Sequence, residues 1–190
     1  SNDPSLSLLF EGNVSLAPKD SNAVYSFSAD IAHADLQAMN LDKRGKSEIG
    51  LHLNADLTSI GGGEIVGNLS IEDIALANDS GEYRPGHLEL KSHGKDSSYR
   101  IDLISSFMEG TYSGSAPVTQ FIRDLNGITF IRELPALFAD PEYSWKGNEY
   151  NAALKFHNTM DLLAFVLPGL YIEAGSTITA GIDKDGMFQG

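Results

Sequence analysis

The chain has 190 residues, 42% hydrophobic and 21% charged, enough for one sizeable core or for one long sheet with a few helices laid on it, and the balance is not that of a disordered polypeptide. Thirteen basic against twenty-six acidic residues leave a net charge of −13, a field that repels phosphate backbones and argues against nucleic acid as a partner. The absence of cysteine excludes disulfides and thiolate metal sites but leaves both the cytosol and an oxidising periplasm open.

From the N-terminus, Ser1-Asn2 reads as an expression remnant, and neither an initiating Met nor a signal peptide is visible. The chain is therefore expected to be a segment of a longer protein. A first strand puts Leu6, Leu8, Phe10, Val14 and Leu16 on one parity. After the turn Pro18–Asn22, a return strand sets Tyr25, Phe27, Ala29, Ile31 and His33 against Ser26, Ser28 and Asp30, an antiparallel hairpin. Asp35–Leu41 reads as irregular and Asp42–Lys46 as a polar turn.

The clearest alternation follows. Ile49, Leu51, Leu53, Ala55 and Leu57 oppose Glu48, His52, Asn54 and Asp56, and beyond Gly61-Gly62-Gly63 the residues Ile65, Leu69 and Ile71 oppose Glu64, Asn68, Ser70 and Glu72. Side chains alternate across a strand, so one face is apolar and the other wet. Asn78–Gly86 reads as a loop. His87–Ser92, with Leu88 and Leu90, pairs across Gly94–Ser97 with a strand Tyr99–Phe107 carrying Ile101 and Leu103, which continues through Glu109–Tyr112 with Gly110 as a bend or bulge.

The period then changes. Ser115 is a candidate N-cap and Pro117 suits a first turn, while Val118, Phe121, Ile122 and Leu125 form one helical stripe that Asn126-Gly127 ends. Pro135 interrupts the apolar segment Ile128–Phe138. Tyr150–His157 reads as a strand, Met160–Val166 as a short helix capped by Asn158-Thr159, and Ser176–Ile182 as a last strand. The longest wholly apolar run, Leu162–Leu167, falls far short of the ~20 residues a membrane span needs.

No catalytic constellation emerges. His33, His52, His87, His93 and His157 each lie in or beside a strand, with no HExxH and no helical pair at ligand spacing. Gly175-Ser176-Thr177 is not a nucleophile elbow, Gly61-Gly62-Gly63 lacks the Lys of a phosphate loop, and Asp183-Lys184-Asp185-Gly186 reads as a tight turn rather than a calcium loop. Carboxylates ~5–9 Å apart would suit glycoside hydrolysis, yet among twenty-six acids such a pair arises by chance. Trp145 with Tyr143 and Tyr150 could stack on a sugar, or Trp145 could simply anchor a loop on the core.

Several segments carry a family resemblance. Ala34-Asp35-Leu36-Gln37-Ala38-Met39-Asn40-Leu41 resembles the AD-L-x-A-L-G-L element of the TamB (translocation and assembly module) proteins of the AsmA-like superfamily, with Asn40 in place of the usual Gly. Leu57–Asp73 resembles their L…l-x-G-x-i-x-i-x-d hairpin, and Phe107–Ser113 the l-x-G-x-Y-s strand that precedes an amphipathic helix. Phe156–Leu163 followed by Leu167–Ile172 and Gly175-Ser176 is similar to the l-k-n-t-d-x-L-l…f-x-P-x-l-x-i…G-s block of Bacteroidetes-type members. The resemblance runs over about residues 6–183, and Ile128–Lys146 is longer than the usual helix connection.

The resemblance implies a periplasmic segment of a long envelope protein of a Gram-negative bacterium, anchored in the inner membrane by a helix outside this chain. That protein would form a β-taco, a curved sheet with an apolar concave surface. It would serve phospholipid transport, or outer-membrane protein translocation and assembly (a secretion role), with an Omp85-type outer-membrane partner bound through other parts of the parent protein.

The residues fit this independently. Moving a two-chain lipid through water exposes about 30 methylenes, on the order of 24 kcal/mol at ~0.8 kcal/mol each, and binding along an apolar stripe is non-directional. The expected lining is Ile49, Leu51, Leu53, Leu57, Ile65, Leu69, Ile71, Leu88, Leu90, Ile101, Leu103 and Phe107. The competing expectation is an ordinary closed core, covered by the two helices.

The expected fold is mainly β, a curved antiparallel sheet of hairpins with two or three short amphipathic helices packed on or capping the apolar face. Residues 3–190 form one segment, with a hairpin sheet over 3–114, a helical insert over 115–140 and strand–helix–strand over 141–190. The expected function is non-enzymatic, with phospholipid acyl chains as ligand, no cofactor and no metal. Cut edge strands invite self-association. The alternative is a cell-surface β-sandwich module binding carbohydrate or protein.

Overall fold

Alternating side chains favour extended backbone, and the short connections between successive alternating runs favour pairing with the next run in sequence. The computed structural model describes residues 4–15, 23–43, 45–60, 64–95, 97–127, 145–159, 162–163 and 169–190. Its strands are β1 (Leu6–Ser15), β2 (Ala23–Asp35), β3 (Ser47–Ile60), β4 (Glu64–Asn78), β5 (Gly81–Lys95), β6 (Ser98–Ser105), β7 (Met108–Gly114), β8 (Tyr150–Phe156), β9 (Thr177–Ile182) and β10 (Phe188–Gln189). One helix among the described residues, α1 (Val118–Gly127), follows β7. The fold is mainly β: the ten strands make one open sheet in sequence order, every pair antiparallel, with β1 and β10 at its edges.

Directly opposed residues of antiparallel strands share a face, so the register sorts the side chains. One row crosses nine strands as Gly12, Phe27, Ala55, Leu69, Leu90, Leu103, Gly110, Leu154 and Ile178. The adjacent row, on the other face, reads Glu11, Ser28, Asn54, Ser70, Glu89, Ile104, Glu109, Lys155 and Thr177. The apolar sides of all nine strands therefore point the same way. At ~4.8 Å per strand, the first row runs about 38 Å across the sheet.

Strict alternation would break this arrangement, and bulges repair it. Between the pairs Ala29↔Leu53 and Ala34↔Ile49, β2 carries one more residue than β3. Between Leu53↔Ile71 and Ile49↔Leu76, β4 carries one more than β3. β5 matches it with its own extra residue between Gly86 and Tyr83. Each insertion flips the parity of the strand beyond it, so Ala34, Ile74, Leu76 and Tyr83 rejoin the apolar face. His33, placed by alternation on the apolar parity, instead pairs with Ser7 on the polar side. Asp73, with φ +52°, sits inside the β4 bulge.

Three further expectations are corrected. Asn78–Gly86 is not a loop: β4 runs to Asn78, and β5 starts at Gly81 after a two-residue turn in which Ser80 N donates to Asn78 Oδ1 at 2.8 Å. Nor does one strand run from Tyr99 through Tyr112. The chain reverses at Ser106-Phe107, where buried Ser105 Oγ donates to Met108 O at 2.8 Å and accepts from Met108 N at 2.9 Å, and β7 pairs back on β6. Gly110 is therefore not a bend but a close-packing position, since a Cβ there would lie 2.9 Å from Leu154 Cδ2.

The helix entry also differs from expectation. The Pro117 carbonyl accepts from Gln120 N and Phe121 N, making Pro117 the cap, while Ser115 Oγ accepts from Glu149 N at 2.9 Å. The rest of the helical insert expected over 115–140, with the apolar segment Ile128–Phe138, lies outside the described residues, as does the helix expected over Met160–Val166, except that Leu162 and Leu163 are helical and Leu163 N donates to Thr159 O at 2.8 Å. The Asp183–Gly186 turn closes through Gly186 N to Asp183 O at 2.9 Å, with Asp183 Oδ1 accepting from Asp185 N and Met187 N.

Candidate functional site

The apolar face is covered unevenly. At the β7–β8 end, Tyr112, Ala116, Tyr150 and Ile182 form a buried cluster against which Tyr99, Ile101, Val118, Phe121 and Trp145 pack. α1 lies on this cluster through aromatic contacts: Phe121 stands 5.5 Å from Tyr112 and 5.0 Å from Tyr150 between ring centroids. Toward β1 the same face is open among the described residues, with Phe10 57%, Val14 58% and Ile65 51% exposed. The buried apolar residues of β2 and β3 are Ala29, Ala34 and Ala55, so burial on the open side reaches small side chains while the larger ones stay half-buried or exposed.

The register brings most of the expected lining together. Leu53, Leu57, Ile65, Leu69, Ile71, Leu88, Leu90, Ile101 and Leu103 occupy consecutive apolar rows on β3 to β6. Ile49 and Leu51 continue the β3 side, opposite Ala34 and Ile31 of β2. Phe107 does not belong to a strand: it sits in the β6–β7 reversal, where its carbonyl accepts from His157 N at 2.9 Å. The same face also holds Tyr25, Phe27 and Ile31 from β2, Ile74 and Leu76 beyond the β4 bulge, and Tyr112 and Leu154 from β7 and β8. The β2 alternation could have supplied the first group. The bulge and the missed reversal hid the others.

α1 is fastened by a buried carboxyl. Asp124, fully buried, accepts from Tyr150 Oη at 2.5 Å and Asn148 Nδ2 at 2.9 Å through Oδ2, and from Gln120 Nε2 at 2.6 Å through Oδ1. Tyr112 Oη donates to Ala116 O at 2.6 Å. Burial pushes the Tyr112 and Tyr150 hydroxyls well above the ordinary phenol range, and the Asp124 carboxyl beside them adds to the shift. Trp145 acts as an anchor: its Nε1 donates to Lys184 O at 2.8 Å, its ring meets Tyr150 edge-on at 6.3 Å, and Gly186 lies against the indole. Tyr143, its expected companion in sugar stacking, is outside the described residues.

Two hollows flank this architecture. One, of about 320 Å³, lies between the α1 entry and the sheet and is lined by Leu57, Ile65, Leu69, Leu90, Ile101 and Tyr112 together with Pro117, Val118 and Thr119. The other, of about 560 Å³, follows the β4–β5 bulges, and its lining mixes Ile74 and Leu88 with Glu72, Asp73, Arg84, His87 and Glu89. Among the described residues, no three His, Asp or Glu converge as a metal site, and no helix is long and apolar enough to cross a membrane. The polar face carries local ion pairs, Arg100 with Asp102 at 2.6 Å and Lys91 with Glu89 at 3.0 Å, and His157 Nε2 lies 3.2 Å from Glu109 Oε1. No family model, curated protein or solved structure matches this chain.

Proposed function

We propose that this chain is a non-enzymatic periplasmic segment of a TamB-like envelope protein, and that its apolar sheet face contacts phospholipid acyl chains during lipid transport or outer-membrane protein assembly. The observation that supports this reading is the nine-strand apolar row from Gly12 to Ile178, backed by an almost wholly polar row on the opposite face. A face whose central apolar row runs about 38 Å and is only partly covered among the described residues fits an extended, non-directional ligand better than a small polar one. In the parent protein, anchored in the inner membrane, neighbouring segments would extend the sheet, and the Omp85-type partner would bind elsewhere.

The test is native mass spectrometry of protein purified without detergent from cells. Wild type should carry phospholipid, and Leu53→Asp, a charge placed mid-face opposite Ala29 and Ile71, should lower occupancy at least tenfold while the β-sheet circular dichroism is kept. Lipid-free wild type, or undiminished lipid on folded Leu53→Asp, would refute the reading.

A further inference from the structure

The open face and the hollow beneath α1 differ in what they can hold. The hollow has a floor of Leu69, Leu90 and Ile101 and a roof of Pro117 and Val118. Two of its hydroxyls are already engaged, Ser92 Oγ donating to Ile65 O at 2.9 Å and Tyr112 Oη to Ala116 O at 2.6 Å. Two basic residues also belong to its lining, His93 and Arg100; they pair with each other in the register of the polar face, and the Arg100 guanidinium is held by Asp102. The cavity therefore presents mostly carbon, its one fixed charge already paired with a carboxylate and two of its hydroxyls spent inside the protein.

Its size sets the second limit. About 320 Å³ accommodates roughly ten methylenes, each displacing about the ~30 Å³ that a water occupies in the liquid, which is one alkyl chain and not two. We propose that the α1 entry roofs a slot on β4–β6 that takes a single unbranched alkyl chain of an amphiphile, leaving the polar end outside and any second chain on the open face. This rests on the lipid-contacting reading of the face and adds to it a defined, one-chain subsite. A curved or branched hydrocarbon of the same carbon number fits less well beneath a roof that Asp124 and the Phe121 ring hold down.

The probe is trans-parinarate, a linear fluorescent fatty acid, with dodecanoate as competitor, titrated into delipidated protein. Binding should contain one high-affinity component of one per chain, displaced by dodecanoate, above weaker binding on the open face. Ile65→Trp and Thr119→Trp each fill the slot, from a half-exposed floor position and an exposed roof position, and should raise the Kd at least tenfold; Leu53→Asp, outside the slot, should change it less than twofold. No binding to wild type, no distinct one-per-chain component, or a Kd of that component unmoved by both tryptophan variants would overturn the slot. Phospholipid that is lost on Leu53→Asp while parinarate ignores both tryptophans would overturn the slot and leave the open-face reading standing. Saturable parinarate binding without co-purified phospholipid would do the reverse.

Discussion

The fastening of α1 is the part of the structure whose energetics can be worked most directly. Tyr150→Phe removes one hydroxyl that is almost fully buried, its residue only 1% exposed, and that donates to a buried carboxyl. A hydrogen bond to a charged group contributes about 1.5–3 kcal/mol. The carboxyl keeps Gln120 and Asn148 as donors at 2.6 and 2.9 Å, so no orphaned charge adds to the cost, and a loss of about 2 kcal/mol is expected. Asp124→Ala instead strands the Tyr150 hydroxyl, which costs about 1–3 kcal/mol as a buried unsatisfied donor. It also removes three bonds and regains only a few tenths of a kcal/mol of helix propensity, for a loss of about 3 kcal/mol. Because both changes break the same bond, the double variant should cost at least ~1 kcal/mol less than the sum of the singles. Urea unfolding of the four proteins measures the cycle, and hydrogen exchange should show α1 amides losing protection before those of β3–β5. A Tyr150→Phe cost under ~0.5 kcal/mol, or strict additivity, would refute the argument that this bond holds the helix to the sheet.

Two further outcomes follow from the same architecture. The Tyr112 and Tyr150 hydroxyls are raised above their unfolded values by burial, so the stability they contribute is complete below the unfolded phenol pKa and is lost as pH rises beyond it; phenolate absorbance should show these two rings ionising only together with unfolding, a late step reduced in Tyr150→Phe, and early reversible titration of all phenols would contradict this. Gly67, with φ +133°, lies opposite Leu57 where a Cβ would approach Asp56 O to 2.0 Å, so Gly67→Ala should destabilise by more than ~2 kcal/mol in the urea midpoint at unchanged slope, and a neutral substitution would show that β3 and β4 separate here.

Much of this molecule is legible in its residues. The alternation of Ile49–Leu57 and of Tyr99–Leu103, the stripe Val118–Phe121 and the turn at Asp183–Gly186 each report a local preference set by neighbours two to four residues away, and each appears in the structure as a strand, helix or turn. The amphipathic character of the sheet is likewise local, because every strand carries its own apolar side. Whether those sides agree across strands is not local. It depends on one-residue insertions in β2, β4 and β5, which look like lapses in the pattern until the partner strand shows that Ala34, Ile74 and Tyr83 have crossed back to the common face. The reversal at Ser106-Phe107 was hidden for a related reason: its signal is a single buried serine closing a two-residue turn, which composition does not distinguish from a continuing strand. Asp124, an unremarkable acid on an amphipathic helix, becomes the fastening of α1 only once Asn148 and Tyr150 return beside it from some two dozen residues on. Period and polarity are properties of the chain, whereas register and the meeting of distant polar groups exist only after the strands have paired.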